Sequence, residues 1–392
     1  MTSQIERLKV LAAGIFSLIL MLGIARFAYT PMLPIMQQQA GLGIAEGGWL
    51  AAINYIGYLS GAIIAALTSS LVLKDKLYRI GLIVAVATTI MMGMTDNLWI
   101  WSLSRFFAGL SSAAGLLLGS GLIMNWLIRH DFRSELGIHF GGLGLGIAFC
   151  AFVVQISNHM LDWQQQWYLL SGAGIILLIP AWLWLPAPDT SNTSRSGQPM
   201  HDNPPSKGFQ YLLMAAYFCA GVGYVVSATF IVAIVDQFPE LHGKGFLTFM
   251  ILGLAAAPAC IIWDLIARRV GDYNALIMAY IIQITGILLP VFFPGATATI
   301  IGAALFGATF IGIVSLVLTI AGRYYPTRPA KMMGKMTIAY GIAQILAPAI
   351  TGVLAEQSGS YSDGLYMAAG MMIIGTFIML RLRVLDLRSK AA

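Results

Sequence analysis

The stretch Gly23–Pro34, GIARFAYTPMLP, decides how this chain folds. It closes an apolar run, 10–29, that is long enough to cross a membrane as a helix, and it places Arg26 in the last third of that run. A guanidinium at the centre of a membrane helix costs roughly 2.5–3.5 kcal/mol on insertion scales, so Arg26 should face protein, a water-filled cavity or the headgroups. Pro31 and Pro34 follow directly, and we expect them to end the helix.

The composition of the whole chain is that of a membrane protein with many spans. The 392 residues are 58% hydrophobic and only 10% charged, with a mean hydropathy of +0.81, whereas soluble proteins carry about 25% charged residues. An all-α architecture is expected, because helices satisfy their own backbone groups in lipid and no alternating strand pattern is present. The three cysteines lie in apolar runs, so we expect no disulfide, no metal site and no cofactor.

Twelve apolar segments follow one another along the chain and are predicted to be membrane-spanning helices, numbered here spans 1 to 12. They cover 10–29, 49–71, 79–95, 98–124, 136–157, 167–185, 209–235, 246–266, 274–293, 297–321, 332–355 and 365–382. Between spans 6 and 7 lies Pro186–Gly208, which is rich in Pro, Ser and Asn and has no apolar periodicity. We therefore predict an N-terminal six-helix domain (1–185), a flexible linker whose exact sequence matters little (186–208) and a C-terminal six-helix domain (209–392).

The basic residues orient these spans. With the N-terminus in the cytoplasm, all of the 22 Lys and Arg residues except Lys244, Arg26 and Arg105 fall at inner ends or in inner segments, as the positive-inside rule requires. Both termini are then cytoplasmic. The net charge of +6 is thereby explained by membrane topology, and no nucleic-acid partner is expected.

The layout and several short motifs resemble a known family. The twelve spans, the central linker and the span 4 pattern Arg105-Phe-Phe-Ala-Gly109 resemble the major facilitator superfamily (MFS). Arg26-Phe-Ala-Tyr-Thr-Pro-Met-Leu-Pro34 and Trp263-Asp-Leu-Ile-Ala-Arg-Arg-Val-Gly271 resemble its YbfB/YjiJ-type branch. The resemblance implies two pseudo-symmetric six-helix bundles that work by alternating access, with spans 1 and 4 lining a central cavity and the span 4 arginine associated with proton coupling.

The resemblance also singles out two inner loops as candidate gates. In the first, between spans 2 and 3, only Asp75, Lys76 and Arg79 match the superfamily motif, and both of its glycines are missing. The second, between spans 8 and 9, keeps the glycine and has an i,i+4 pair of opposite charge that can form an ion pair on one face. The residues of this second loop are Asp264, Arg268, Arg269 and Gly271. The alternative is that both loops carry only the charge of the positive-inside rule.

The two arginines within predicted spans define a candidate substrate site. Arg105 lies eight residues from Asn97 at the outer end of span 4, which is about 12 Å deep, and Arg26 lies about 24 Å from the inner boundary of span 1. Because these heights are similar, we expect a joint site for an anionic group, which planar guanidinium groups bind through paired hydrogen bonds. The alternative for Arg26 is a side chain that extends to the headgroups.

Polar side chains elsewhere in the spans complete this candidate site. No Asp or Glu lies at the middle of a span, which argues against simple proton–cation exchange and leaves both arginines without an obvious counter-ion. The other candidate substrate-binding residues are Tyr29, Asn54, Tyr58, Tyr217, Tyr224 and Gln344. Further polar side chains that could line the site are Ser227, Gln283 and Tyr340. For each of them a plain interhelical hydrogen bond is the alternative.

Span 5 contains the run HFGGLGLGIAF, residues 139–149. Small residues at this spacing allow helices to approach closely, either as static packing or as a surface along which helices slide.

These features together predict a secondary active transporter of the bacterial inner membrane, acting as a monomer on a small organic solute. The joint arginine site predicts that this solute is an anion. The sequence has no nucleotide-binding motif, so any pumping must use an ion gradient or the substrate's own gradient. The resemblance makes protons the candidate coupling ion. One alternative is an uncoupled facilitator of the same fold. A membrane-embedded enzyme and a sensor are others, but no HExxH, GxSxG or CxxC motif is present.

Overall fold

The protein is described here by a computed structural model that covers residues 2–134, 136–191, 193–197, 199–236, 245–358 and 362–391. Helices make up nearly all of it, and the described part contains no sheet, only an isolated bridge between Thr193 and Pro199. The helices are α1 (Thr2–Leu18), α2 (Tyr29–Gln39), α3 (Ile44–Leu67), α4 (Leu71–Met94), α5 (Leu98–Ala113), α6 (Ser120–Arg129), α7 (Gly137–Ser157), α8 (Trp163–Leu183), α9 (Lys207–Asp236), α10 (Gly245–Val270), α11 (Asp272–Phe292), α12 (Ala296–Arg323), α13 (Pro329–Ser358) and α14 (Ser362–Ala391). Two π-helical segments, Ile19–Phe27 and Ala114–Gly119, join α1 to α2 and α5 to α6.

Eleven helical stretches of the described chain are long and apolar enough to cross a membrane. They coincide with eleven of the twelve predicted spans. The remaining one, 332–355, lies in α13, a continuous helix of 30 residues that is not among the eleven. The protein is therefore a multi-pass, all-α membrane protein.

The first span does not end at its prolines, which corrects the expectation drawn from the sequence. The backbone turns into a π-helix at Ile19, and the N–H of Ala28 donates to the carbonyl of Gly23, five residues earlier (2.8 Å). A new helix, α2, then continues to Gln39. Pro31 is tolerated because it lies in the first turn of α2, where a backbone N–H has no partner within its own helix.

The helices pack in two groups that follow the chain order. Within the first, α3 packs on α5, and α4 packs on α5 and α8; within the second, α9 packs on α13 and α14, and α11 packs on α12. The groups meet mainly where α7 crosses α10 and where α3 crosses α13.

Glycines bring the two groups together. A Cβ on Gly253 of α10 would lie 2.6 Å from the backbone nitrogen of Ala148, and one on Gly334 of α13 would lie 2.6 Å from that of Ala66. Larger residues at these positions would therefore push the groups apart.

The linker is docked rather than featureless, which differs from the expectation. The guanidinium of Arg129, at the end of α6, donates to the hydroxyl of Ser191 (2.9 Å) and to the carbonyls of Ser191 and Thr193. On the other group, Asp202 accepts hydrogen bonds from the hydroxyl of Thr327 (2.7 Å) and from Nε of Arg328 (3.0 Å). The buried Arg129 needs acceptors beyond the end of its own helix, and the linker supplies them.

Candidate substrate cavity and gate

A small cavity lies between the two helix groups, and we call it the central cavity. Its volume is about 30 Å³, which is enough for about one water molecule and far too small for an organic solute. In this conformation the groups are therefore closed around it. Its lining residues are Leu22, Arg26, Phe27, Tyr58, Leu116, Leu143, Tyr217, Tyr224, Phe310, Ile311, Val314, Tyr340 and Gln344.

The structure brings five of the predicted substrate-binding residues to this cavity. They are Arg26, Tyr58, Tyr217, Tyr224 and Gln344, and of the further polar liners Tyr340 joins them. The side-chain oxygen of Gln344 is buried without a hydrogen-bond partner, so it is available to a bound molecule.

Arg26 is the charged residue of the cavity wall, and it is only 6% exposed. Its guanidinium carbon lies 4.4, 5.0 and 5.3 Å from the ring centres of Tyr58, Tyr55 and Phe27. Ring faces attract a cation but do not neutralise it. Among the described residues, no Asp or Glu forms an ion pair with Arg26. The side chain is thus buried between helices instead of reaching toward headgroups, and its charge is left uncompensated.

Arg105 lies behind the cavity wall instead of lining it. Its guanidinium donates to the carbonyls of Ala25 (3.2 Å), Arg26 (3.3 Å) and Leu50 (3.5 Å), and its carbon lies 4.4 Å from the ring centre of Tyr29. The carbonyl of Arg26 is available because the residue five positions later, the partner in a π-helical register, is a proline without an N–H. Arg105 thus binds the backbone that carries Arg26, an arrangement different from the expected joint site.

Tyr29 and Asn54 also stay outside the cavity, because other helices use their polar groups. The hydroxyl of Tyr29 donates to the carbonyl of Gly47 (2.9 Å), and the amide of Asn54 donates to the carbonyl of Arg105 (2.9 Å). Both are interhelical hydrogen bonds, as in the alternative interpretation of these residues.

Aromatic rings form the opposite wall of the central cavity. Tyr217 and Tyr340 stack with ring centres 4.5 Å apart, and Tyr224 stacks on Phe310 at 5.2 Å. Sequence reasoning missed Phe310, because an apolar aromatic residue in a membrane helix has no polar signal. The i,i+4 spacing of Phe306 and Phe310, which places both rings on one helix face, is the pattern that could have found it.

The second predicted gate loop makes a contact across the two groups. Asp264 of α10 accepts a hydrogen bond from the backbone N–H of Gly137, the first residue of α7 (2.6 Å). A carboxylate at a helix N-terminus is favoured by the helix dipole. Arg268 and Arg269 are exposed, and Gly271 has a φ of 89°, which favours glycine, in the turn before α11. The i,i+4 spacing did not predict the bond to Gly137.

The first predicted gate loop makes its described contacts within one helix group. Arg79 forms an ion pair with Asp75 (3.0 Å) and donates to the carbonyls of Trp182 in the last turn of α8 (2.8 Å) and of Leu185 just beyond it (3.0 Å). Lys76 is exposed. Instead, a residue that sequence reasoning missed, Asn125 of α6, crosses the groups by donating to the carbonyl of Pro326 (2.9 Å).

Loss of the Asp264 carboxylate should open this end of the molecule. In a variant without the native cysteines, Met124→Cys would place a thiol at a fully buried contact with Gly322 of the other group. We expect Asp264→Ala to raise the rate at which a thiol reagent labels this cysteine at least threefold, because the N–H of Gly137 loses its acceptor. Asp75→Ala, which breaks an ion pair inside one group, is the matched control. Equal rates in the two variants would contradict a gating role for Asp264.

The fold and the cavity define a class of protein, a helical membrane transporter whose two helix groups enclose a buried site. More narrowly, the chain belongs to the major facilitator superfamily, since residues 18–380 match the family described as "Uncharacterised MFS-type transporter YbfB". The resemblance drawn from the short motifs is thus confirmed.

Individual relatives agree with this assignment. The chain is 23% identical over 354 residues to the uncharacterized MFS-type transporter YceJ of Bacillus subtilis, with 88% of this chain and 83% of that protein covered. Among solved structures, the human organic anion transporter MFSD10 superposes with a TM-score of 0.71 at 14% identity, over 95% of this chain and 99% of that one. The nucleoside transporter NupG superposes with a TM-score of 0.65 at 13% identity, over 96% and 99%. These two structures show the fold alone.

Proposed function

We propose that this protein is a secondary transporter that carries a small organic anion through the central cavity by alternating access. In this proposal twelve spans, with α13 as the eleventh, form two six-helix halves, 1–185 and 209–392, joined by the linker 186–208. The protein acts as a monomer in the bacterial inner membrane with both termini in the cytoplasm. The basic inner segments and the contacts of α7 with α10 and of α3 with α13 support this arrangement.

One observation carries the proposal. The guanidinium of Arg26 lines a cavity between the two helix groups, and its charge has no acidic partner among the described residues. A buried cation without a counter-ion is costly, and a bound anion would remove that cost while making paired hydrogen bonds. An anion at this place would touch both groups and could therefore stabilise one arrangement of them over another.

Arg26→Lys should weaken binding of the anionic solute at least tenfold, about 1.4 kcal/mol, with little change in melting temperature. Lysine keeps the charge but cannot form the planar, two-pronged contact with a carboxylate. The measurement is thermal stabilisation of the purified protein by a panel of carboxylates and neutral metabolites, followed by titration of the best binder.

Arg269→Lys is the matched control for this test, because Arg269 is exposed on α10. Equal affinity of wild type and Arg26→Lys for the best carboxylate would overturn the proposed role of Arg26.

An uncoupled facilitator is the second candidate, and one observation favours it. No Asp or Glu is among the described residues that line the central cavity, although such carboxylates are the usual proton carriers. Uptake into proteoliposomes separates the two candidates. A pH gradient should drive solute accumulation by a proton-coupled transporter, whereas a facilitator should only equalise the solute on the two sides.

A further inference from the structure

Four aromatic rings from three helices, those of Tyr217, Tyr224, Phe310 and Tyr340, form the wall of the central cavity opposite Arg26. A fifth ring, Phe306, adjoins them, and we call the five rings the ring ladder. The ring centres of Tyr217 and Tyr340 are 4.5 Å apart, those of Tyr340 and Tyr224 are 5.7 Å apart, and those of Tyr224 and Phe310 are 5.2 Å apart. Phe306 extends the ladder at 5.1 Å from Phe310. Each of these pairs is within 28° of parallel. Tyr224 and Phe306 are also nearly parallel, with ring centres 6.3 Å apart, so the ladder is a connected set of flat, nearly parallel rings.

We propose that the substrate of this cavity is a flat aromatic acid with a single negative charge, held between the guanidinium of Arg26 and the ring ladder. This inference rests on the proposed function and specifies its substrate class.

The charges of the cavity determine the ionic part of the class. Arg26 supplies one uncompensated positive charge, and the donors of Arg105 are directed to the carbonyls of Ala25, Arg26 and Leu50. One guanidinium matches one carboxylate. A second carboxylate on the substrate would lie in a buried apolar site without a partner, so dianions should be rejected. Cations should be rejected by Arg26 itself.

The shape of the ladder determines the aromatic part of the class. Aromatic rings prefer offset stacking on other rings, beyond what burial of the same apolar area would give. The cavity of about 30 Å³ is too small to hold a substrate. The ring of a bound substrate must therefore displace aromatic rings that now stack on each other. A flat ring replaces each lost stacking contact by an equal one, whereas a saturated, puckered ring of similar size does not.

The unpaired amide oxygen of Gln344 adds a polar requirement. This oxygen is buried, has no hydrogen-bond partner in the described structure and belongs to a side chain that lines the same cavity. A donor on the substrate, such as a phenolic hydroxyl, would satisfy it. Hydroxylated aromatic acids should therefore bind more tightly than their unsubstituted parents.

The test is a set of matched ligands titrated against the purified full-length protein. Benzoate should bind at least fivefold more tightly than cyclohexanecarboxylate and at least tenfold more tightly than phthalate or benzamide. The 4-hydroxybenzoate should bind at least threefold more tightly than benzoate. Gln344→Leu should remove the preference for the hydroxyl and leave benzoate affinity within twofold.

Variants of the ladder complete the experiment. Tyr340→Leu should reduce the preference for benzoate over cyclohexanecarboxylate to less than twofold, while Tyr340→Phe, which keeps the ring, should retain it. Should Tyr340→Leu prove unstable, Phe310→Leu tests the same ladder from another helix.

The outcomes separate this inference from the proposed function. Cyclohexanecarboxylate or another aliphatic acid that binds as tightly as benzoate, with loss in Arg26→Lys, would overturn the aromatic class and leave the anion transporter standing. Binding that is unaffected by Arg26→Lys would overturn both. If none of the aromatic acids binds, the inference fails, and the metabolite panel decides on the proposed function.

Discussion

Arg105→Met should both destabilise the purified protein and abolish solute binding, although Arg105 does not line the central cavity. Its guanidinium holds three backbone carbonyls, two of them at the π-helical segment of the first span and one, of Leu50, in α3. Removing the donors would leave the carbonyls of Ala25 and Arg26 at the helix break unpaired, at a cost of about 1–3 kcal/mol each, whereas Leu50 lies inside α3, where its carbonyl keeps the backbone partner of an α-helix. We expect a loss of stability on the order of 2–3 kcal/mol after the relief of burying the charge is counted.

The loss of binding follows from the same contacts. Arg26 is carried by the backbone that Arg105 binds, and without that bond the broken first span is free to shift the guanidinium of Arg26 away from the cavity. Arg105 therefore acts as a positioning residue. The measurement combines the melting temperature with the Kd for the best carboxylate found in the metabolite panel.

Arg26→Lys serves as the comparison for this prediction. It should lose affinity at nearly constant melting temperature, whereas Arg105→Met should lose both together. Arg105→Lys should be more stable than Arg105→Met but less stable than wild type. An ammonium group can donate to one or two of the carbonyls but cannot contact all three as the planar guanidinium does. An Arg105→Met protein that melts like wild type would show that the carbonyls are satisfied in another way.

The sequence predicted the spans well, because each span depends only on local composition. Runs of about twenty apolar residues and the placement of Lys and Arg are properties of a segment by itself.

The candidate site was harder to predict, because its geometry depends on pairs of residues distant in the chain. Arg26 and Arg105 have similar estimated heights, yet only the structure distinguishes the guanidinium at the cavity from the one bound to backbone carbonyls. Asp264 was expected beside Arg268, and its bond to Gly137, 127 residues away in the chain, leaves no local signal. The π-helical turn at Ile19–Phe27 is likewise set by packing around Pro31 and Arg105.

The glycine run of α7 shows how one local pattern can serve two surfaces. Gly142 and Gly146 face the first span, where an added Cβ would lie 2.7 Å from the carbonyl oxygen of Ile15 and 2.9 Å from the Cα of Gly23. Gly141 and Gly144 face α10 of the other helix group. The first pair packs α7 within its own group, while the second pair lies at the surface where the two groups meet.

Gly144→Ala should reduce transport at least tenfold. An added Cβ would overlap the backbone nitrogen of Ala257 and lie 2.7 Å from the carbonyl carbon of Ala256. Backbone atoms cannot move aside as a flexible side chain can, so α7 and α10 would have to separate. Gly172→Ala on α8 is the matched control, because nothing lies within 4 Å of a Cβ at that glycine. It should transport like wild type and melt at the same temperature or slightly higher, since alanine favours a helix by about 1 kcal/mol over glycine.

Labelling of Met124→Cys then decides between the two roles of this glycine. If α7 and α10 slide on each other during transport, Gly144→Ala should favour the separated arrangement, and the cysteine should be labelled faster in a protein that remains folded. If the contact is static packing, stability and transport should fall in proportion, and labelling of the folded fraction should stay at the wild-type rate. Wild-type transport by Gly144→Ala would contradict both roles, because it would mean that the close approach of α7 to α10 is not needed at any step.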